Sequence, residues 1–187
     1  MALLTERAIF GTFEAMLEEM PFDKITVAAL SKRAGISPNT FYYHYHDIYE
    51  LFDVWSSHWL ETMIFNDPDE DWKEMTKRAL RFFKEHSRMV MHIMNSVYRE
   101  RLEKYVYTVV SDHVGEMIER RTEGLGTDPA ATADLAYFCR CTIAGLFIEF
   151  TGAHMEPDID ETVNRIGRMI DRLVEATLGF IPERGRA

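Results

Sequence analysis

Side chains suited to chemistry concentrate in one stretch of this chain, Thr26 to Leu51, TVAALSKRAGISPNTFYYHYHDIYEL. From Lys24 to His46 the cations are Lys24, Lys32 and Arg33, and no carboxylate intervenes, whereas residues 1–52 as a whole carry four Lys or Arg against seven Asp or Glu. That pattern is a narrow positive patch set among hydroxyls, an amide and aromatic rings, fitted to contact with an anion. Catalytic patterns are missing elsewhere. Cys139 and Cys141 stand about 200° apart around a helix, so they neither share a metal nor bridge within it. No two of the histidines lie four apart with a carboxylate between them, as on a zinc-protease helix, and Gly124-Leu125-Gly126 has neither a third glycine nor a preceding strand. The expectation is a non-enzyme without a cofactor or metal site.

The elements that position this stretch are helical. Ile9, Phe13, Met16, Leu17 and Met20 make one apolar stripe, ended by Pro21. Thr26 caps a second helix that Gly35 stops, and Ser37-Pro38 opens a third with a capping hydroxyl and an N1 proline. The third is short, because Asp47-Ile48-Tyr49-Glu50 has the form of a capping box opening a fourth. A helix, a glycine-ended turn and a very short helix form a helix-turn-helix, which lays its second helix in a major groove. Longer helices follow: one from near Trp72 after an Asn66–Asp69 turn, and one beyond His86-Ser87. Three more span about Tyr98–Arg121, Pro129–His154 and Ile159–Phe180. No alternating β-branched run occurs, so the fold is expected to be all α.

The 187 residues bear 21 Lys or Arg against 31 Asp or Glu, a net −10, which excludes a polyanion binder coated in positive charge. Two cysteines fit a reducing cytoplasm. The apolar run Thr142–Thr151 is broken by Glu149 and falls short of the ~18 residues of a membrane span, so no membrane contact is expected.

The stretch resembles the DNA-binding region of TetR-type transcriptional regulators, without a gap, at Thr26, Val27, Leu30, Ala34, Gly35, Ile36, Ser37, Thr40, Phe41, Tyr42, His44 and Tyr45. The resemblance implies an all-α protein with a three-helix DNA-binding domain over 1–46, followed by a larger helical effector-binding and dimerisation domain over 47–187. By position, Ile36, Phe41 and Tyr45 would pin the short helix, whose first turn Ser37 caps beside the DNA. Pro38, Asn39 and Tyr43 would face the groove floor, Asn39 pairing with adenine. Thr26, Thr40, Tyr42 and His44 would reach phosphates, with at most one of Lys32 and Arg33. The chain departs from the family at Ile48, where a lysine is usual, and it has no cation around Pro38 or Tyr43. Each phosphate-neutralising cation that is missing lowers the salt slope of DNA binding by about 0.9.

Cys141, Gly145, Ile148 and Gly152 form a small-residue stripe, and Val163, Ile166, Ile170 and Val174 a second seam. The resemblance implies that these two helices pair with their copies in a homodimer. An unknown small-molecule effector is assigned to a cavity lined by Met75, Phe82, Met89, Met94, Tyr105, Val109, His113, Phe138 and Phe147. The implied function is a ligand-responsive repressor of a pseudo-palindromic, double-stranded operator. The alternative is a similar regulator controlled by, or acting through, a protein partner.

Overall fold

The computed structural model describes residues 2–64, 71–123 and 126–179. Among them are nine α-helices and no strand: α1 Ala2–Glu19, α2 Val27–Ala34, α3 Pro38–His44, α4 Ile48–Ile64, α5 Trp72–Glu85, α6 Ser87–Met94, α7 Arg99–Thr122, α8 Pro129–Gly152 and α9 Ile159–Gly179. A 3-10 turn, Phe22–Lys24, follows α1. The expected helices are present. The Asn66–Asp69 turn, Gly124-Leu125 and the end of the last helix at Phe180 lie outside the described residues.

The chain divides into two compact units, Met1–Pro68 with Arg81–Tyr105, and Asp69–Leu80 with Val106–Ala187. In the first, the α1 stripe is buried as its period requires: Ile9, Phe13, Met16 and Leu17 are at most 2% exposed. Phe13 meets Phe22 and Trp55 edge-on, at 6.1 and 5.4 Å between centroids. Such aromatic pairs contribute about 0.5–1.5 kcal/mol beyond their buried area. The first unit contains the expected reading head, residues 1–46, together with α4, the end of α5, α6 and the start of α7.

In the second unit α7 buries Val106, Val110, Val114 and Ile118. Tyr105, Val109 and His113, expected to line a cavity, lie half-buried on its flank. A one-residue step turns a helix by 100°, so the β-branched row wins the interior. α8 buries Leu135, Cys139, Ile143, Leu146, Phe147 and Phe150. Contrary to expectation, α8 is long and apolar enough to cross a membrane, although part of that apolar surface is spent on this interior. Lys73 pairs with Asp171 of α9, and its methylenes lie where a Cβ on Gly167 would sit, 2.7 Å from Cε. Met155, at φ 60°, and His154, at φ 53°, turn the chain between α8 and α9 in the left-handed region. That conformation costs roughly 1–2 kcal/mol for each residue bearing a Cβ. Burial of the Met155 side chain, 2% exposed, offsets part of it.

Candidate nucleic-acid interface

α3 is held by its two ends and by one face. Ser37 Oγ accepts from the Thr40 N–H at 3.1 Å and lies 2.9 Å from Thr40 Oγ1, satisfying the first turn. Thr26 caps α2 in the same way, accepting from the Ala29 N–H at 3.2 Å. Each hydroxyl used as an acceptor still has an O–H to donate, and between Ser37 and Thr40 one O–H is donated to the other. Gly35, at φ 69°, makes the left-handed turn from α2 into α3, a conformation a Cβ would strain.

Phe41 is fully buried, and Tyr45 nearly so, while Ile36 is half-buried. The Tyr45 hydroxyl donates to Glu6 Oε1 at 3.3 Å. Burial first, and then the Glu6 carboxylate, raise the Tyr45 pKa far above the ordinary phenol value. With that face inward, Pro38, Asn39, Tyr42 and Tyr43 project outward, Tyr43 at 84% exposure and Tyr42 at 57%. Thr40 and His44 are half-exposed at the flanks. This surface offers an amide, two phenols and an imidazole side by side, the groups that bond base edges and phosphate oxygens.

The cations are fewer than the sequence suggests. Arg33 is clamped by Glu19, with nitrogen–oxygen distances of 2.5 and 2.6 Å. Those hydrogen bonds hold the Glu19 carboxyl below the usual carboxylate range. Arg33, expected among the phosphate contacts, spends two of its five N–H donors on this carboxylate, which also offsets its charge. Lys24 and Lys32 are exposed. Ile48, at the family's lysine position, is buried. Asp47 caps α4 through the N–H groups of Tyr49 and Glu50 at 2.9 and 2.8 Å, and Glu50 takes the His46 N–H. Both carboxylates beside the reading helix are thereby engaged.

The expected effector residues fall in both units: Phe82, Met89, Met94 and Tyr105 in the first, and Met75, Val109, His113, Phe138 and Phe147 in the second. Met89 and Phe147 are buried, and Met75, Val109 and His113 half-buried. Phe82 packs on Trp59 and His86 at 4.6 and 4.5 Å. Phe138 is a correction. It is 48% exposed, because it precedes Gly145 by seven residues and so shares that residue's outward face.

The expected contact residues on α8 do face outward: Cys141, Ile148 and Gly152 are exposed and Gly145 is half-exposed. Nothing lies within 4 Å of where Cβ atoms on Gly145 and Gly152 would be. The α9 seam is the other correction. Val163, Ile170 and Val174 are covered by their own chain, and Ile166 is half-buried, so the open side of α9 is Arg165, Arg168, Met169 and Arg172. Periodicity locates an apolar stripe without saying which neighbour covers it. Tyr137, 57% exposed under the Arg140 guanidinium, was not foreseen as part of the α8 face. Its place one turn before Cys141 was the available signal.

A family profile described as bacterial regulatory proteins, tetR family, matches residues 14–54. A second, described as a transcriptional regulator C-terminal region, matches residues 70–172. No curated protein sequence matches the chain. Among similar solved structures is the dihydroxyacetone kinase operon activator DhaS, at 14% identity and TM-score 0.74, covering 94% of this chain and 98% of that one. Another is NalD of Pseudomonas aeruginosa, the secondary repressor of the MexAB-OprM multidrug efflux pump. It has 16% identity and TM-score 0.64, with 92% and 97% of the two chains covered. A third is the TetR family repressor AlkX of a Dietzia species, implicated in biodegradation of n-alkanes. It has 15% identity and TM-score 0.53, with 92% and 96% coverage. At these identities the likeness is one of fold.

Proposed function

From the premise that the chain belongs to the TetR family of bacterial regulatory proteins, we propose that it is a cytoplasmic, homodimeric, ligand-responsive repressor of a pseudo-palindromic operator. The observation that carries this reading is the outward face of α3, where Pro38, Asn39, Tyr42 and Tyr43 stand exposed while Phe41 and Tyr45 fix the helix from behind. Asn39 reads adenine, and Lys32, Thr26, Tyr42 and His44 meet phosphates.

The second copy packs on the open face of α8, with Gly145 as the point of close approach and Tyr137, Phe138, Cys141, Ile148 and Gly152 around it. Charge complementarity favours this pairing. Exposed Asp134 and Glu149 lie on α8, while exposed Arg165, Arg168 and Arg172 lie on α9. A two-fold operation brings the carboxylates of one copy to the guanidinium groups of the other. It also sets two reading helices roughly 34–36 Å apart, one duplex turn. An effector bound better in a conformation with wrongly spaced helices releases the operator, with coupling of about 1–3 kcal/mol.

Fluorescence anisotropy tests this with the full chain, on duplexes selected from a random pool, at two salt concentrations. We expect binding to the selected duplex about 1,000-fold tighter than to a scrambled one. Equal binding to both, or none at micromolar protein, removes the reading. A transcriptional reporter gives the sign.

One observation favours a second reading. With Arg33 clamped and Ile48 buried, Lys24 and Lys32 are the exposed lysines left around α2 and α3, so a protein partner would complete operator binding. Recovery of a stoichiometric partner that restores binding supports this version, and tight binding by the isolated dimer counts against it.

A further inference from the structure

The α6–α7 junction is built into the same compact unit as the reading helix, and the contacts there are specific. Tyr98 enters a gap between the turn after α1 and the first two turns of α4. Its ring stacks on Tyr49 with centroids 4.9 Å apart and planes 1° from parallel. It also meets Phe22 at 4.6 Å and Phe52 at 5.2 Å. Ser96 fixes the backbone here, accepting from the Tyr98 N–H at 3.0 Å while donating to the Ile93 carbonyl at 2.7 Å. Three residues on, Arg101 pairs with Asp53 of α4 and holds its guanidinium 5.5 Å from the Tyr98 ring centroid. His92 of α6 adds a bond from Nδ1 to the Leu17 carbonyl in the last turn of α1, at 2.6 Å.

The engaged part of α4 begins only a few residues after α3 ends. The chain leaving α3 is tied to the start of α4 there, the His46 N–H donating to Glu50. Asp53 is also incompletely satisfied: Arg101 engages Oδ2, while Oδ1 is buried without a partner. A buried carboxylate oxygen without a donor is unfavourable, so the contact of Arg101 with Oδ2 carries the pairing of this carboxylate. We propose that Tyr98 and Arg101 are positioning residues, which set the placement of α3 through α4 without touching DNA. α7 carries residues of both units, Arg99–Tyr105 of the first and Val106–Thr122 of the second, so the clamp stands on an element that the effector-binding part shares. The consequence for operator affinity rests on the DNA-binding reading above. The consequence for α3 does not.

The test uses the full chain as Tyr98→Leu, Tyr98→Phe and Arg101→Ala, with two readouts. Amide hydrogen exchange in the free protein should rise about fivefold or more over residues 37–46 in Tyr98→Leu and Arg101→Ala, with α8 and α9 unchanged. Tyr98→Phe keeps the stack and should match the parent. Affinity for the selected duplex should fall about tenfold in the first two variants, with scrambled-duplex binding unchanged. Exchange that rises equally over α8 and α9, or that stays at the parent's level over 37–46, overturns the proposal. Should Tyr98→Leu not fold, Arg101→Ala decides alone, since its side chain is half-exposed. If the parent prefers no duplex yet exchange rises only over 37–46, the clamp stands and the DNA-binding reading falls.

Discussion

α3 and α8 each bury one face and leave another open, and the open faces differ in kind. The seven residues of α3 expose hydrogen-bonding groups, Asn39, Tyr42 and Tyr43, on a helix too short to stand without Phe41 beneath it. The 24 residues of α8 expose apolar or small groups, Phe138, Ile148 and Gly152 around half-exposed Gly145, with Tyr137 and Cys141 beside them and the carboxylates Asp134 and Glu149 at the flanks. A face of donors and acceptors seeks a partner that is itself hydrogen-bonded and wet, as a duplex groove is. An apolar face with small residues seeks a dry, close-packed partner, as a second copy is.

That contrast breaks most visibly at α8. Phe138→Glu with Ile148→Glu should convert the proposed dimer to a monomer of unchanged helicity, read by sedimentation and circular dichroism. Each carboxylate buried without a partner costs on the order of 3 kcal/mol, and a two-fold pair holds four. Dimers that persist undiminished would mean that this face is not the contact.

Next in size is the support of α3. Phe41→Ala should cost about 3–5 kcal/mol in denaturant unfolding, because a fully buried ring leaves a cavity. Asn39→Ala should leave unfolding unchanged while lowering affinity for the selected duplex by about 1–3 kcal/mol and relaxing preference at one base pair. An unaltered preference removes Asn39 as a base reader.

Smaller is the split between neighbouring cations. Lys32→Ala should reduce the salt slope of DNA binding by about 0.9, whereas Arg33→Ala should leave it nearly unaltered. The smallest effect is confined to alkaline pH. Tyr45 is held neutral by burial and by Glu6, so its contribution to stability is complete below its unfolded pKa of about 10 and is lost as pH rises beyond that. Tyr45→Phe should flatten that alkaline decline in thermal melts, and a decline of the same steepness would assign it to other groups.

The same two helices show what the sequence could and could not reveal. α3 was legible to the residue, because Ser37, Pro38 and Gly35 are punctuation with one local meaning each, and the burial of Phe41 follows from a short helix having one inward face. Arg33 was not legible. Its partner Glu19 lies fourteen residues away, and only the folded crossing of α1 and α2 brings them together. On α8 the small-residue stripe marked the open face, but Phe138 was assigned inward because large rings are usually buried. On α9 the strongest stripe, Val163–Ile170–Val174, is strong because it faces the chain's own interior. Which unit Met75 or Phe82 joins depends on long-range packing that no helical period encodes.

The spacing of Cys141 from Gly145 has a last consequence, for chemistry under oxidising conditions. If the proposed pair crosses its α8 helices antiparallel at Gly145, the two Cys141 positions stand four residues to either side, about 12 Å apart along the axis. A disulfide needs Cα atoms within roughly 7 Å. The thiol is exposed in the single chain, but that pairing would leave it too far from its mate to be cross-linked, and Cys139 is buried. Peroxide should therefore leave the assembly untied, and a cysteine introduced as Gly145→Cys should be the one that locks it.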